Sequence, residues 1–265
     1  EKVSAIVEDS ILPGVEKLIN QFNNAVQLGN KEGIINFLKR ANAVNEHRQH
    51  SVEDLLTFIE KGDLPIADDG SIIIYKILRK NGDHYIDCHS RKVKQKVGSY
   101  VCMSQDLVDH DRRNECSNGL HVARRGYIKH LPGDVCVAAK VAPEDVIAVP
   151  QYDANKMRVC GYHIVKELPD EAYQSLKNDL PITNTEEGQN ILANIVKGNH
   201  ISKIEEVKIT GHKGEGLIIS PLVSSDIKKE QENIFVKAIN IEVPVTEQAE
   251  RIDVKKLSDK INKKE

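Results

Sequence analysis

A change of residue pattern near Leu64 constrains the fold more than any other feature of the sequence. Before it, apolar residues recur every three or four positions, which is typical of amphipathic helices. After it, the turn-forming stretch 65–70 leads into the β-branched run Ile72-Ile73-Ile74-Tyr75, which predicts a strand. The sequence therefore predicts an α+β fold, with an N-terminal helical segment, a central β-rich antiparallel domain and a smaller mixed C-terminal region.

Residues 1–64 are the predicted helical segment, either a small bundle or an arm. Apolar spacing indicates a helix over 3–22, which a Pro-Gly pair divides into two short helices or kinks. A second helix fits 31–43, and a third fits 51–62, with Ser51 as its N-cap.

Residues 65–168 are the predicted β-rich core domain. Asn81-Gly82 is a pair preferred in tight hairpins, and it would join strands over 72–78 and 84–88. Further strand candidates lie at 97–103, 134–141, 146–149 and 157–165. These candidates are too closely spaced for helical crossovers, so antiparallel pairing is expected.

Residues 169–245 are predicted to form a mixed α/β region. Helices are expected over 170–177 and 186–197, and strands over 206–210, 217–219 and 234–243. The last stretch, 246–265, is a charged tail with the apolar spacing of an amphipathic helix. A tail that is ordered only by a partner is an equal alternative.

Composition excludes several classes of protein. The net charge of −3 gives no global field that would attract nucleic acid, so nucleic-acid binding is not expected. No apolar run approaches the roughly 20 residues needed to cross a bilayer.

The five cysteines are odd in number and form no CxxC pair, which predicts free thiols in a reducing compartment. The chain starts without a secretory signal, and we expect a segment to be missing before Glu1.

The segment 109–121 has the densest set of reactive side chains. Its candidate functional residues are Asp109, Asp111, Arg112, Asn114, Cys116, Ser117, Gly119 and His121. A histidine just after a tight turn, beside a thiol and a carboxylate, could be a general base or a ligand. The alternative is an Asx-rich loop whose polar side chains satisfy its own backbone.

Two cations from a following strand are expected to support this segment. Lys156 and Arg158 lie two residues apart, so both point to one face of the strand. They would pair with Asp109 and Asp111 in a structural cluster, or leave a pocket for an anionic ligand. The structural cluster is the preferred interpretation.

Three other patterns have simpler explanations than a functional site. Cysteines and histidines between 84 and 163 lack the close ligand pairs of structural zinc sites, so no metal and no cofactor are predicted. The glycine-rich stretch 211–216 lacks P-loop spacing and predicts a hairpin loop. The basic run 91–96 could bind nucleic acid or phospholipid headgroups, but a solvated hairpin face is favoured.

Three stretches together resemble the rIIB family of T-even bacteriophages. They are 67–75, then 108–122 with its Cys-Ser-x-Gly-Leu-His core, and 143–150 continuing through Lys156-Met157-Arg158-Val159. The resemblance covers the whole chain, except that family members begin with a helix-turn-helix-like segment that is absent here.

The resemblance implies a phage early protein rather than a metabolic enzyme. Family members are expected to act with the rIIA protein, peripherally at the inner membrane in the host cytoplasm. The implied roles are lysis timing (lysis inhibition) and overcoming exclusion by a resident prophage, as a non-enzymatic complex subunit. Two matters stay open: an enzyme or nucleotide-sensing domain that uses the Cys-Ser-x-Gly-Leu-His loop, and assembly into a homo-oligomer.

Overall fold

The structure is a computed structural model that describes residues 4–7, 10–45, 52–151 and 155–222. Its first elements are two short antiparallel strands, β1 (Ser4–Val7) and β2 (Ser10–Pro13). The predicted helix over 3–22 is therefore wrong for its first half. β-branched residues there pair in a hairpin, and Gly14, with a φ of 82°, begins the 3₁₀ turn that follows.

Three helices complete the N-terminal segment: α1 (Ile19–Leu28), α2 (Lys31–Asn45) and α3 (Val52–Gly62). The predictions of α2 and α3 are confirmed. The apolar stripe of α3 is buried as its spacing indicated, including Leu56, Phe58 and Ile59. Ser51, the predicted N-cap, lies outside the described residues.

Eight strands form the main sheet, in the order β13-β12-β6-β11-β8-β3-β4-β5, and three form a smaller sheet, in the order β7-β10-β9. Their bounds are β3 (Ile72–Asn81), β4 (His84–Asp87), β5 (Lys94–Gln95), β6 (Ser99–Met103), β7 (Leu120–Ala123), β8 (Val135–Val141), β9 (Val146–Ala148), β10 (Lys156–Val159), β11 (Gly161–Glu167), β12 (Glu205–Ile209) and β13 (Leu217–Pro221). Every pairing is antiparallel except that of β12 with β6. Helices α4 (Asp170–Lys177) and α5 (Glu186–Val196) separate β11 from β12 and match their predictions.

Two local details differ from the expected strands. Asn81 pairs with His84, so the β3–β4 turn is Gly82-Asp83 and not Asn81-Gly82. The single strand expected over 157–165 is two strands in different sheets. The crossing lies next to Gly161, the first residue of β11, where glycine is needed because a Cβ would lie only 2.5 Å from the Tyr100 hydroxyl oxygen.

Hydrophobic side chains cover both faces of the main sheet. One cluster joins the face that carries Ile74 and Tyr162 to helices α1–α3 and to the smaller sheet. A second cluster packs α4 and α5 against the opposite face, which carries Tyr75 and Ala138. This arrangement confirms the α+β fold. The domain boundaries proposed from sequence remain predictions, as does the strand over 234–243, which lies outside the described residues along with the tail 246–265.

The main sheet is curled so that its two end hairpins meet. The Lys92 ammonium, in the β4–β5 turn, lies 3.0 Å from the Glu215 carboxylate, in the β12–β13 loop. This glycine-rich loop is the hairpin loop that the sequence predicted. None of the helices in the described ranges is both long and apolar enough to cross a membrane.

Candidate functional site

The segment 109–121 follows a short 3₁₀ turn (Gln105–Leu107) and its last two residues begin strand β7. Strand β7 pairs with β10, and this register places His121 opposite Arg158. Leu120 and Val122 enter the core, while His121 projects from the other face of the strand. The segment 109–119, called here the 109–119 loop, therefore folds back over the β7–β10 pair.

Arg158 is the anchor of the 109–119 loop. Its side chain is fully buried, and the guanidinium donates to three main-chain carbonyl oxygens. Nε lies 2.8 Å from the oxygen of Asp109, Nη2 lies 2.6 Å from that of Asp111, and Nη1 bonds that of Asn114. Burial lowers the pKa of Arg158, against the effect of the nearby carboxylates. The guanidinium is thus occupied by loop backbone.

The carboxylates of Asp109 and Asp111 bind loop atoms and are not the direct partners of Arg158. Asp109 Oδ1 accepts from the Asp111 N–H at 2.8 Å, and Oδ2 accepts from the Asn114 amide at 2.9 Å. Although burial opposes it, hydrogen bonds led by that of Ser117 lower the pKa of Asp109. Asp111 binds the Arg113 guanidinium in a fork, which lowers the pKa of Asp111 to about 2. The loop therefore satisfies its own polar groups.

Arg112 ties the loop to neighbouring elements, away from His121. Its Nε donates to the Val149 carbonyl oxygen at 2.7 Å, and its Nη2 lies 2.9 Å from Asp54 Oδ2 on α3. The Gln151 N–H donates back to the Arg112 carbonyl oxygen at 3.2 Å. Arg112 is thus not brought into one cluster with His121 and Arg158.

The Cys-Ser-x-Gly core of the loop packs over β10. The Lys156 ammonium lies 2.9 Å from the Sγ of the exposed Cys116, and 5.5 Å from the ring centre of Tyr127. Gly119 has a φ of 146°, and a Cβ there would lie 3.0 Å from Val108 Cγ1 and 3.4 Å from the Arg158 side chain. Glycine at 119 therefore permits both the backbone conformation and the close packing over Arg158.

His121 sits in a positively charged environment. Burial, followed by the charges of Lys76, Lys156 and Arg158, lowers the pKa of His121 to about 4. Its Nε2 is buried and, within the described part of the chain, has no hydrogen-bond partner. No hydrogen bond joins His121 to Cys116 there. An imidazole with this pKa is neutral at neutral pH and a weak general base.

Two residues of the site, Lys76 and Asn118, were not identified from the sequence. Lys76 donates to the His121 carbonyl oxygen at 3.0 Å and lies 4.8 Å from the ring centre of Tyr162. The available signal was the position of Lys76 between the apolar stretches 72–75 and 77–78 of β3, because a charge inside a buried stretch needs a partner. Asn118, which was not among the candidate residues, donates to the Leu107 carbonyl oxygen and accepts from the Lys213 N–H at 3.2 Å.

The 109–119 loop has a main chain held in place by Arg158 and a tip that is exposed to solvent. Within the described ranges, no three metal-ligating side chains gather to hold a metal ion. The tip of the loop carries the exposed side chains of Arg113 and Glu115, and the Arg113 guanidinium bonds Asp111 within the loop. A loop whose main chain is fixed by a buried arginine and whose polar tip is exposed is suited to contact another macromolecule.

Comparison with known proteins gives the family of the chain. The family described as "Bacteriophage T4 protein rIIB" matches residues 17–174, which include the 109–119 loop, β7 and β10. The curated protein rIIB of Enterobacteria phage T4 is 32% identical over 158 residues, which are 58% of this chain and 49% of that protein. The chain thus spans about half the length of this relative. No solved structure matches significantly. Since the family match covers more than half of the sequence, the chain belongs to the rIIB family of bacteriophage proteins.

Proposed function

We propose that this chain is a non-enzymatic subunit of a phage complex that controls lysis timing and overcomes exclusion by a resident prophage. The proposal follows from membership of the rIIB family. Its partner is the rIIA protein. The complex acts in the host cytoplasm, peripherally at the inner membrane, so the chain reaches the membrane through its partner or by surface contact.

The observation that carries the non-enzymatic role is the use of Arg158. An arginine that served an anionic substrate would present donors to a cleft. Here the guanidinium donates to the carbonyl oxygens of Asp109, Asp111 and Asn114, which are main-chain groups of one loop. The buried guanidinium of Arg158 therefore fixes the conformation of the 109–119 loop.

The enzymatic alternative has weaker support from the same geometry. A cysteine nucleophile needs a base within hydrogen-bond reach. The Lys156 ammonium lies beside the Cys116 thiol, while His121 has a depressed pKa and, among the described residues, no hydrogen bond to that thiol. A loop that binds a partner protein requires neither a nucleophile nor a base, since its affinity comes from a fixed main chain and exposed side chains.

The test compares two exposed cations in a phage that lacks its own copy of this protein. Arg113→Glu reverses a charge at the tip of the loop, and Lys129→Glu does so on an exposed turn elsewhere. We expect Arg113→Glu to reduce co-purification of rIIA and plaque formation on a prophage-carrying host, with an unchanged melting temperature. Lys129→Glu should behave as the unmodified chain.

A different pair of variants separates the enzymatic alternative. If Cys116→Ser and His121→Gln abolished plaque formation while rIIA still co-purified and the melting temperature held, the loop would be a reactive site. If Arg113→Glu behaved as the unmodified chain in both assays, the tip of the loop would not be part of the partner interface.

A further inference from the structure

Strand β13 is an exposed edge of the main sheet. It pairs with β12 on one side, from Glu205 opposite Pro221 to Ile209 opposite Leu217. In the part of the chain that the structure describes, no strand pairs with its outer side. Ile218 is 51% exposed and Ile219 is 46% exposed, and successive side chains of a strand point to opposite faces. Both faces of this edge therefore carry an exposed isoleucine.

The outward-facing backbone groups of β13 can be assigned from its ladder. The N–H of Leu222 donates to Ile204 and that of Thr210 donates to Gly216, at 2.9 and 3.2 Å. Antiparallel ladders alternate bonded and non-bonded pairs, so Ile218 and Ser220 bond inward to β12. The N–H and C=O groups of Ile219 then point away from the sheet. An uncharged edge of this kind is a template for another strand.

The sequence that follows β13 contains a strand-like segment of matching character. Residues 234–243 (IFVKAINIEV) are rich in β-branched residues and place apolar side chains on both faces. The residues between, 223–233, are mostly charged or polar, as hairpin connections are. This connection is long enough to let the chain reverse direction. Tethering also gives the segment a high effective concentration at the edge.

We propose that residues 234–243 add to the outer side of β13 as an antiparallel ninth strand of the main sheet. The isoleucines at 218 and 219 would then each be flanked, on their own face of the sheet, by apolar side chains of the added strand, and the Ile219 amide would gain a partner. This interaction surface is separate from the 109–119 loop, so the inference does not rest on the proposed function.

The test is amide hydrogen exchange of the full chain, read by mass spectrometry on peptides from 205–209 and 234–243. We expect exchange over 234–243 to be slowed at least about tenfold relative to an unprotected peptide, equally at low and high protein concentration. Ile219→Pro removes the outward N–H and leaves the inward bonds of β13, so protection over 234–243 should be lost while that over 205–209 remains. Ile35→Lys, at an isoleucine of α2 that is 45% exposed, is the matched control and should change neither.

A second variant guards against local damage at the edge. Val236→Lys alters the proposed strand and leaves β13 intact, and it should also remove protection over 234–243. Unprotected exchange over 234–243 in the unmodified chain would overturn the proposal. So would protection that disappears on dilution, which indicates a second copy at the edge, and protection that survives Ile219→Pro, which indicates docking elsewhere.

Discussion

Replacing Arg158 with methionine tests whether the 109–119 loop is a braced structural element. Methionine keeps most of the buried volume and removes all the donors. The carbonyl oxygens of Asp109, Asp111 and Asn114 then lose their shared partner. We expect the variant to be destabilised and its loop to open.

The size of this loss follows from the three bonds. A hydrogen bond to a charged group contributes about 1.5 kcal/mol net at the low end of its range, so three of them amount to roughly 4.5 kcal/mol. The loop lies at the surface, and its carbonyl groups can regain water when it opens. Opening reduces the loss, so we expect the free energy of unfolding to fall by about 2–4 kcal/mol.

Urea unfolding measures this change, and limited proteolysis at Arg113 reports whether the loop opens. Arg113→Met is the control because Arg113 is exposed, and it should leave the urea midpoint unchanged. Arg158→Lys should restore only part of the loss, since one ammonium cannot serve carbonyl groups as far apart as those of Asp109 and Asn114. An Arg158→Met protein that is as stable as the unmodified chain would refute the bracing role and favour an anion site, where removal of a buried charge relieves strain.

Three more predictions concern neighbouring residues. The folded-state pKa of His121, about 4, lies below the ordinary value. Because burial favours the neutral imidazole, the free energy of unfolding gains up to about 3 kcal/mol above pH 6.5, and this gain is lost as the pH falls towards 4; urea titrations at several pH values should show a smaller loss in His121→Gln. Gly119→Ala should cost about 1–3 kcal/mol in thermal unfolding because its Cβ meets Val108, and more than Gly82→Ala, which meets nothing within 4 Å. A thiol reagent should modify the exposed Cys116 first and the buried Cys136 only on unfolding, with all five thiols reactive without reductant; fewer than five would reveal a disulfide.

Local patterns predicted the elements whose signals lie within one segment. Helix α5 has a complete local signal, since Thr185 caps it by accepting from the Gly188 N–H at 3.1 Å and its apolar face is buried. The β-branched start of β3 likewise indicated a buried strand. Such signals depend on neighbours in sequence, which are visible without a structure.

Long-range pairing decided what local patterns could not. The parallel alignment of β12 with β6 brings together residues more than one hundred positions apart, from Glu205 beside Ser99 to Ile209 beside Met103. The division between β10 and β11 likewise reflects distant pairing, because β10 pairs with β7 and β9 whereas β11 pairs with β6 and β8. Neither set of pairings leaves a periodic trace in the residues that form it.

The Lys-x-Arg pair of β10 shows how far a local rule extends into the candidate site. The spacing predicted that Lys156 and Arg158 would share a face and support the 109–119 loop, and both do contact it. It could not predict that their roles differ. Lys156 lies at the rim and presents one ammonium to Cys116, where water remains available. Arg158 lies inside, where a charge is tolerated only if its donors are used, and a planar fork reaches three carbonyl groups that a single ammonium could not. Lys156 and Arg158, which carry part of the family resemblance, therefore have a structural role in holding the loop. The exposed tip at Arg113 is the part of the loop that is available for recognition.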